Sequence, residues 1–163
     1  MSRNILFGLI AFILLGCTRD DICPEDTAAT PLLVIAFNDR TDPTSEKNVT
    51  DLQIETNEAE PMLVFSASEG TNTVSIPLDT NNDTSSFRFI TNAGDEDEEN
   101  IDIVNFTYER TTSYVNRACS FKTIYTNLVG IRENEGADNW IFTLIINNTT
   151  VEDETEAHLT MLH

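Results

Sequence analysis

The sequence predicts an all-β protein, a single antiparallel β-sandwich of immunoglobulin-like or Greek-key style with about seven to nine strands. Short runs of β-branched and aromatic residues recur along the chain, and Gly, Pro, Asn, Asp and Thr separate them. After Cys17, no segment longer than about eight residues has the 3.6-residue period of an amphipathic helix. A small β-barrel is the alternative for strands at this spacing.

The most distinct strand is expected at the run WIFTLII, which begins at Trp140. Trp140, Phe142, Leu144 and Ile146 alternate with other residues and should share one buried face. Residues 32–37 are almost continuously apolar, which favours a central strand. Further strands are expected at 51–55, 62–66, 74–78 (with Pro77 favouring a sheet edge), 87–89, 123–132 and 158–163.

Residues 101–108 change the phase of their apolar pattern. Ile101 and Ile103 occupy one phase, whereas Val104, Phe106 and Tyr108 occupy the other. Since a strand cannot exchange its buried face without a bulge or a change of sheet, we expect an irregularity near Ile103 and Val104.

The amino-terminal residues have the organisation of a secretory signal peptide. Arg3 precedes an apolar run from Ile5 to Leu15. As a helix this run would span roughly 16 Å, about half of a hydrocarbon core, so it does not suit a permanent membrane span. An ordinary cleaved signal peptide is one interpretation.

The other interpretation is a lipoprotein signal, because Leu14-Leu15-Gly16-Cys17 resembles the bacterial lipobox. This resemblance implies a diacylglycerol group on the sulfur of Cys17, cleavage after Gly16, and acylation of the new amino terminus by a palmitate-type chain. Three acyl chains would hold the protein permanently at a membrane. The chain then divides into a signal peptide (1–16), an acidic lipidated tether (17–30) and a β-sandwich domain (31–163).

Two further short motifs lie in the tether. Thr18-Arg19-Asp20-Asp21 resembles the export signal of surface lipoproteins in Bacteroidota, with Arg19 where Lys is usual, and implies display at the cell surface. A flexible tether on a periplasm-facing protein is the alternative. Asp26-Thr27-Ala28 resembles an O-glycosylation sequon of the same bacteria, with Thr27 as the acceptor.

The charge of the chain restricts its partners. Loss of residues 1–16 removes Arg3, which leaves eight basic against 28 acidic residues and a formal charge of −20. Such a field repels phosphates, so nucleic acid is excluded as a partner and flat contact with an anionic membrane is disfavoured. Divalent cations are the partner class that this charge favours.

With Cys17 acylated, Cys23 and Cys119 remain as an even pair in an oxidising compartment, which favours a disulfide. It would close a loop of about 97 residues and contribute up to roughly 4–5 kcal/mol of stability. A metal site built from these two distant thiols is the less favoured alternative.

Three stretches resemble an uncharacterised family of small Bacteroidota lipoproteins: residues 17–26, 31–39 and 114–125. The shared motifs are Ile22-Cys23-Pro24 and the later Cys119-Ser120-Phe121-Lys122-Thr123. The resemblance supports the bridge between Cys23 and Cys119, and it implies no established activity.

Signatures of catalysis are weak. Gly-x-Ser-x-Gly and His-Glu-x-x-His motifs do not occur, and no cofactor is expected. His158 is expected to be a surface strand residue, and His163 to be frayed. Four aromatic residues suited to stacking on sugars lie in or beside predicted strands, where packing is the favoured role: Tyr108, Tyr114, Tyr125 and Trp140.

The segment from Asp79 to Asp83 begins like a calcium loop, with oxygen-bearing side chains on Asp79, Asn81 and Asp83. The match then fails, because Thr84 stands where such loops have Gly and Ile90 where they have Glu. A solvated turn is the favoured interpretation, so these residues are weak calcium candidates.

Together these features predict an outer-membrane lipoprotein, displayed at the cell surface, that serves as a non-enzymatic binding or accessory module of the envelope. Its expected partners are the membrane, through the anchor, and other envelope proteins or glycans. The alternative is a calcium-dependent adhesion or carbohydrate-binding module. A hydrolase with two close, partly buried carboxylates is the third hypothesis.

Overall fold

The computed structural model describes residues 23–24 and 29–163. Over these residues the chain forms nine β-strands and no helix. The strands are β1 (Leu33–Asn38), β2 (Leu52–Thr56), β3 (Leu63–Ala67), β4 (Thr73–Ile76), β5 (Thr84–Thr91), β6 (Asn100–Asn116), β7 (Ser120–Arg132), β8 (Thr143–Ile146) and β9 (Leu159–Leu162). The described part of the chain accordingly contains no helix able to cross a membrane.

The strands form two sheets, which confirms the predicted β-sandwich. One sheet has the order β4-β1-β9-β8 and the other has the order β3-β2-β5-β6-β7. All neighbouring strands are antiparallel except β1 and β9, which run parallel with Ile35 opposite Leu159. The predicted positions of β1 and β4 are confirmed, since β1 is central and β4, which ends just before Pro77, is an edge strand.

Both sheets contribute side chains to a single core. The four-stranded sheet supplies alternate residues of β1 and β9, and the five-stranded sheet supplies alternate residues of β2, β5 and β6. Strand β7 adds Tyr125 and Leu128, which are three residues apart because the register of β6 and β7 shifts between them. The largest fully buried side chains include Phe37, Phe89, Phe106 and Tyr125. Each buried aromatic side chain removes about 150–250 Å² of surface from water, so these four contribute strongly to the stability of the sandwich.

The prediction of an irregularity near Ile103 and Val104 is wrong, because β5 and β6 pair residue by residue through this region. Asp102 is fully buried and takes the core position that the pattern assigns to an apolar residue. The buried face therefore stays constant, and Ile103 lies half-buried on the opposite face. The register of β6 against β7 shifts further along the strand, between Thr107 and Glu109.

The predicted strand at Trp140–Ile146 is shorter in the structure, where only β8 remains regular. Trp140, Leu144 and Ile146 pack against the core as expected. Phe142 is exposed instead, and Ile141 is fully buried in its place. The predicted alternation of buried and exposed side chains fails at Ile141 and Phe142 because both residues precede the regular strand, which begins at Thr143. Phe142 lies under the guanidinium group of Arg40, 4.7 Å from the ring centroid.

Strands β6 and β7 extend beyond the rest of their sheet as a long hairpin. Pairing of β6 with β5 ends at Thr107, whereas β6 continues to Asn116 and β7 returns from Ser120. We call residues 110–123 of this hairpin the hairpin arm. The arm carries three basic residues and no acidic one, in a chain with 28 acidic residues.

Candidate functional site

The tip of the hairpin arm is covalently bonded to the segment that precedes the sandwich. The predicted disulfide between Cys23 and Cys119 is present, and it brings the two Cα atoms to 4.7 Å. Cys119 lies in the turn of the hairpin, where its backbone N–H donates to Oδ1 of Asn116 at 2.8 Å. The backbone N–H of Thr123 donates to Oγ1 of Thr30 at 3.0 Å. Cys23 and Thr30 are therefore each bonded to the arm.

Two aromatic side chains form an exposed pair beside this tip. Tyr114 and Phe121 lie directly opposite each other in the register of β6 and β7, with ring centroids 5.3 Å apart. Tyr114 is 60% exposed and Phe121 is 61% exposed. The expected packing of Tyr114 is thus only partial, and both side chains remain largely exposed to solvent.

The other three aromatic residues considered for sugar stacking are packed, as predicted. The rings of Tyr108 and Tyr125 meet edge to face at 5.0 Å. The hydroxyl of Tyr125 donates to the backbone oxygen of Leu78 at 3.1 Å, and burial raises the pKa of Tyr125 to about 12. Nε1 of Trp140 donates to the backbone oxygen of Phe89 at 3.1 Å. Their polar atoms therefore stabilise the sandwich.

A groove of about 700 Å³ lies at one end of the sandwich, between the end of β2, the start of β3, the loop after β4 and the start of β5. Its apolar lining includes the exposed side chains of Met62 and Leu63. Glu58 and Asp79 give its edge an acidic character. The apolar part of the lining comes from residues such as Val64, Leu78 and Phe87, and polar side chains such as Asn57, Asn82 and Ser85 line the rest. A groove that combines apolar and polar side chains in this way is a candidate binding surface.

The weak calcium candidates lie on the loop at the edge of this groove. Asp79 accepts hydrogen bonds from the backbone N–H of Asn81 and from Nδ2 of Asn82, both at 2.7 Å. The hydrogen bond from the side chain of Asn82 lowers the pKa of Asp79, and the backbone N–H groups of Asn81 and Asn82 act in the same direction. Asp83 instead forms an ion pair with Nε of Arg110 at 2.6 Å. The carboxylates are thus engaged by donors of the protein itself.

Arg110 also connects the groove to the hairpin arm. Its Nη1 donates to the backbone oxygen of Thr80 at 2.6 Å, while its Nε contacts Asp83. The loop at the groove and the base of the arm therefore meet at the same end of the sandwich. Within residues 23–24 and 29–163, no group of three or more His, Cys, Asp or Glu side chains is arranged to hold a metal ion.

The expectation that His158 is a surface residue is wrong. His158 is buried, its Nδ1 accepts a hydrogen bond from the backbone N–H of Val34 at 3.0 Å, and its own backbone N–H donates to the oxygen of Val34 at 2.9 Å. Burial lowers the pKa of His158. The imidazole serves here as an acceptor for the neighbouring strand, since residue 158 continues the pairing of β9 with β1.

The expectation that His163 is frayed is also wrong. Its ring meets Trp140 edge to face at 5.7 Å, and its backbone N–H donates to the oxygen of Asn38 at 3.0 Å. The backbone oxygen of His163 accepts from Nζ of Lys47 at 2.9 Å. These contacts on both sides hold the residue against the sandwich.

Asp102 is a buried carboxylate that the sequence pattern did not single out. Its Oδ2 accepts from the backbone N–H of Ile141 at 2.8 Å, and its Oδ1 accepts from Nδ2 of Asn139 at 3.0 Å. Both oxygens are thus used to fix the segment that leads into β8. The hydrogen-bonding pattern indicates a structural role.

Several predicted site residues lie outside the described residues. They are the lipidation site Cys17, the export-signal residues Arg19, Asp20 and Asp21, and the glycosylation acceptor Thr27. The exposed pair at the arm tip and the groove were not predicted as sites. No acidic residue lies between Glu109 and Glu133, and this stretch, which contains the arm and the rest of β7, is the sequence signal that could have drawn attention to the arm.

Comparisons with known proteins identify a family whose function is unknown. No curated protein and no solved structure matches the chain. The model of a family of unknown function, DUF6452, matches residues 48–163, which include all strands except β1. The chain therefore belongs to this family of unknown function.

Proposed function

We propose that the chain is an outer-membrane lipoprotein, anchored through Cys17 and displayed at the cell surface, that acts as a non-enzymatic binding or accessory module of the envelope. The disulfide between Cys23 and Cys119 is the observation that carries this proposal. Structural disulfides persist in oxidising compartments, so the bridge favours an envelope location. Cys23 is also only six residues from the proposed lipidation site.

The disulfide provides a second connection between the proposed anchor and the sandwich. Without it, the lipidated residue would be joined to the sandwich only by the chain leading into β1. With it, the segment at Cys23 is held at the tip of the hairpin arm. The membrane attachment then acts on a rigid element, so the domain has a restricted orientation relative to the surface that holds it.

Non-enzymatic action is supported by how the reactive side chains are used. Nδ1 of His158 accepts from the backbone, and both oxygens of Asp102 accept from residues of the β8 segment. A general acid or base needs access to substrate, whereas these groups are buried in structural hydrogen bonds. The groove beside Met62 and Leu63 is the surface we assign to binding.

The anchor is tested by Cys17→Ala in cells. We expect the variant to leave the outer-membrane fraction, because the acylated sulfur is removed. Cys23→Ala is the matched control, since it removes a cysteine and the bridge but keeps the lipidation site, and it should remain in the membrane. Retention of Cys17→Ala in outer-membrane vesicles would refute the anchor.

Surface display needs a separate measurement. Protease added to intact cells should degrade the wild-type domain, and replacement of Asp20 and Asp21 by Asn should protect it while leaving it in the outer membrane. Equal protection of the wild-type protein and the variant would place the domain on the periplasmic side.

The binding role is tested at the groove with a pair of matched variants. Leu63 is 62% exposed in the groove, and Ile131 is 61% exposed on β7 outside it. Immobilised wild-type protein and Ile131→Glu should capture the same component from envelope extract, while Leu63→Glu should lose it. Identical capture by all three proteins would contradict the assignment of the groove.

A further inference from the structure

The hairpin arm combines features that are found together nowhere else in the described chain. It ends in the exposed pair Tyr114 and Phe121, it carries Arg110, Arg117 and Lys122, and it contains no carboxylate. Aromatic rings with a polar atom or a cationic neighbour are the side chains that settle at the boundary between water and lipid. The arm therefore has the composition of a membrane-contacting element.

The covalent structure limits how far the arm can be from the lipid. A chain extends by at most about 3.6 Å per residue, so the six residues from Cys17 to Cys23 span no more than about 22 Å in any conformation. The disulfide then places the Cα atom of Cys119 4.7 Å from that of Cys23. The tip of the arm cannot move away from a membrane in which Cys17 is anchored.

We propose that the tip of the hairpin arm, with the rings of Tyr114 and Phe121, inserts into the interfacial layer of the membrane to which the chain is anchored. This inference rests on the proposed lipid anchor at Cys17. The occupant of the exposed aromatic surface is the lipid bilayer, because the anchor and the bridge bring no other surface so close. The sandwich then stands upright on the arm.

Net charge does not drive the contact. Four acidic residues flank Cys23 in the sequence, at positions 20, 21, 25 and 26, and they offset the basic residues of the arm. The apolar rings make the contact, because Nζ of Lys122, the residue next to Phe121, is directed elsewhere and donates to the backbone oxygen of Glu152 at 3.5 Å. The arm itself contributes no carboxylate, so the acidic residues close to its tip come from the segment around Cys23 and from the segment at Glu152.

The upright orientation follows from the direction of β7. Ile131 lies ten residues from Phe121 along this strand, which corresponds to about 33 Å at the usual strand rise. The two side chains have the same exposure, 61%. Phe121 and Ile131 therefore provide a matched pair of probe positions, one at the proposed contact and one far from it.

The experiment uses the full-length lipidated protein in vesicles of phosphatidylethanolamine and phosphatidylglycerol that carry bromine on the upper acyl chain. Tryptophan is introduced as Phe121→Trp or, separately, as Ile131→Trp, and the emission of Trp140 in the parent protein is subtracted. We expect the Phe121→Trp signal to shift to shorter wavelength and lose intensity in the brominated vesicles. The Ile131→Trp signal should not change.

The same experiment separates this inference from the anchor itself. If the protein floats with the vesicles but Phe121→Trp is not quenched, the insertion is refuted and the anchor stands. If the protein does not float, the anchor is refuted and the inference fails with it. Tyr114→Trp provides a second probe on the opposite strand and should behave as Phe121→Trp does; thermal melts confirm that each variant is folded.

A second copy of the chain is the competing occupant. In that case the Phe121→Trp emission would shift with protein concentration in lipid-free micelles, and bromine would not quench it in vesicles. That result would overturn the proposal. Equal quenching at positions 121 and 131 would overturn it as well, since the whole domain would then lie against the membrane.

Discussion

The backbone N–H of Val34 donates a hydrogen bond to Nδ1 of His158 over 3.0 Å, at a buried position between β1 and β9. This bond requires a lone pair on Nδ1, which protonation removes. Burial also lowers the pKa of His158 below its ordinary value of 6.5, although the nearby carboxylates of Asp153 and Glu154 act in the opposite direction. The folded state therefore holds a neutral imidazole.

Stability should consequently fall as the pH drops through about 6.5. Below that pH the unfolded chain takes up a proton that the folded chain resists, so the free energy of unfolding decreases until the folded pKa is reached. Burial also lowers the pKa of His163, so this residue contributes to the same loss of stability. Urea denaturation at about pH 7.5 and about pH 5.5 measures the loss across this window.

His158→Gln should show a smaller loss between these two pH values, since one of the two histidines is gone. His163→Gln is the matched control and should retain the part due to His158. Equal stability of the wild-type protein at both pH values would contradict the assignment.

Asp102→Ala should lower the free energy of unfolding by about 2–3 kcal/mol, because hydrogen bonds to a charged group are lost and the buried N–H of Ile141 is left without an acceptor. Urea denaturation measures the change. Glu96→Ala removes a carboxylate from an exposed position in the loop between β5 and β6 and should leave the stability nearly unchanged. A loss of equal size in both variants would indicate a general effect of charge.

The disulfide should leave no free thiol in a Cys17→Ala protein purified from an oxidising compartment. Thiol titration in denaturant should find none before reduction and two after it. Replacing both Cys23 and Cys119 by Ser should lower the stability by up to roughly 4–5 kcal/mol, since the unfolded chain regains the freedom of a loop of about 97 residues. Two titratable thiols before reduction would disprove the bridge.

Calcium should not change the melting temperature. Asp83 is paired with Arg110, and Asp79 accepts hydrogen bonds from its own loop, so an incoming ion would have to displace these donors. Thermal melts with calcium and with a chelator test this expectation. A rise of several degrees in calcium would instead favour the calcium-dependent adhesion or carbohydrate-binding module.

Most of the strands could be predicted from the sequence because a half-buried strand imposes a period of two on its side chains. The central place of β1 and the edge position of β4 followed from a continuous apolar run and from Pro77. The prediction failed where a polar residue occupies the core. Asp102 is buried because the N–H groups of the β8 segment satisfy it, and those groups lie about 40 residues away in the sequence.

The candidate sites were less predictable, because they depend on which surfaces meet. His158 looks like a surface residue until the parallel pairing of β9 with β1 supplies the N–H of Val34. Tyr114 is exposed because β6 continues beyond the last residue that pairs with β5, and the local sequence pattern does not indicate where this pairing ends. The groove beside Leu63 arises from four separate segments. The disulfide was accessible, since Cys23 and Cys119 are the pair that remains once Cys17 is assigned to lipidation, and the family resemblance supported the same pairing.

The parallel pairing of β1 with β9 has a consequence for when the sandwich can form during synthesis. A central position of the four-stranded sheet stays vacant until residues 159–162 are available, because β9 fills it and supplies Leu159 and Met161 to the core. We therefore expect the sandwich to close only when residue 162 is available, and a chain truncated before residue 159 to be digested rapidly by added protease. Survival of such a truncated chain would show that the sandwich assembles vectorially, strand by strand.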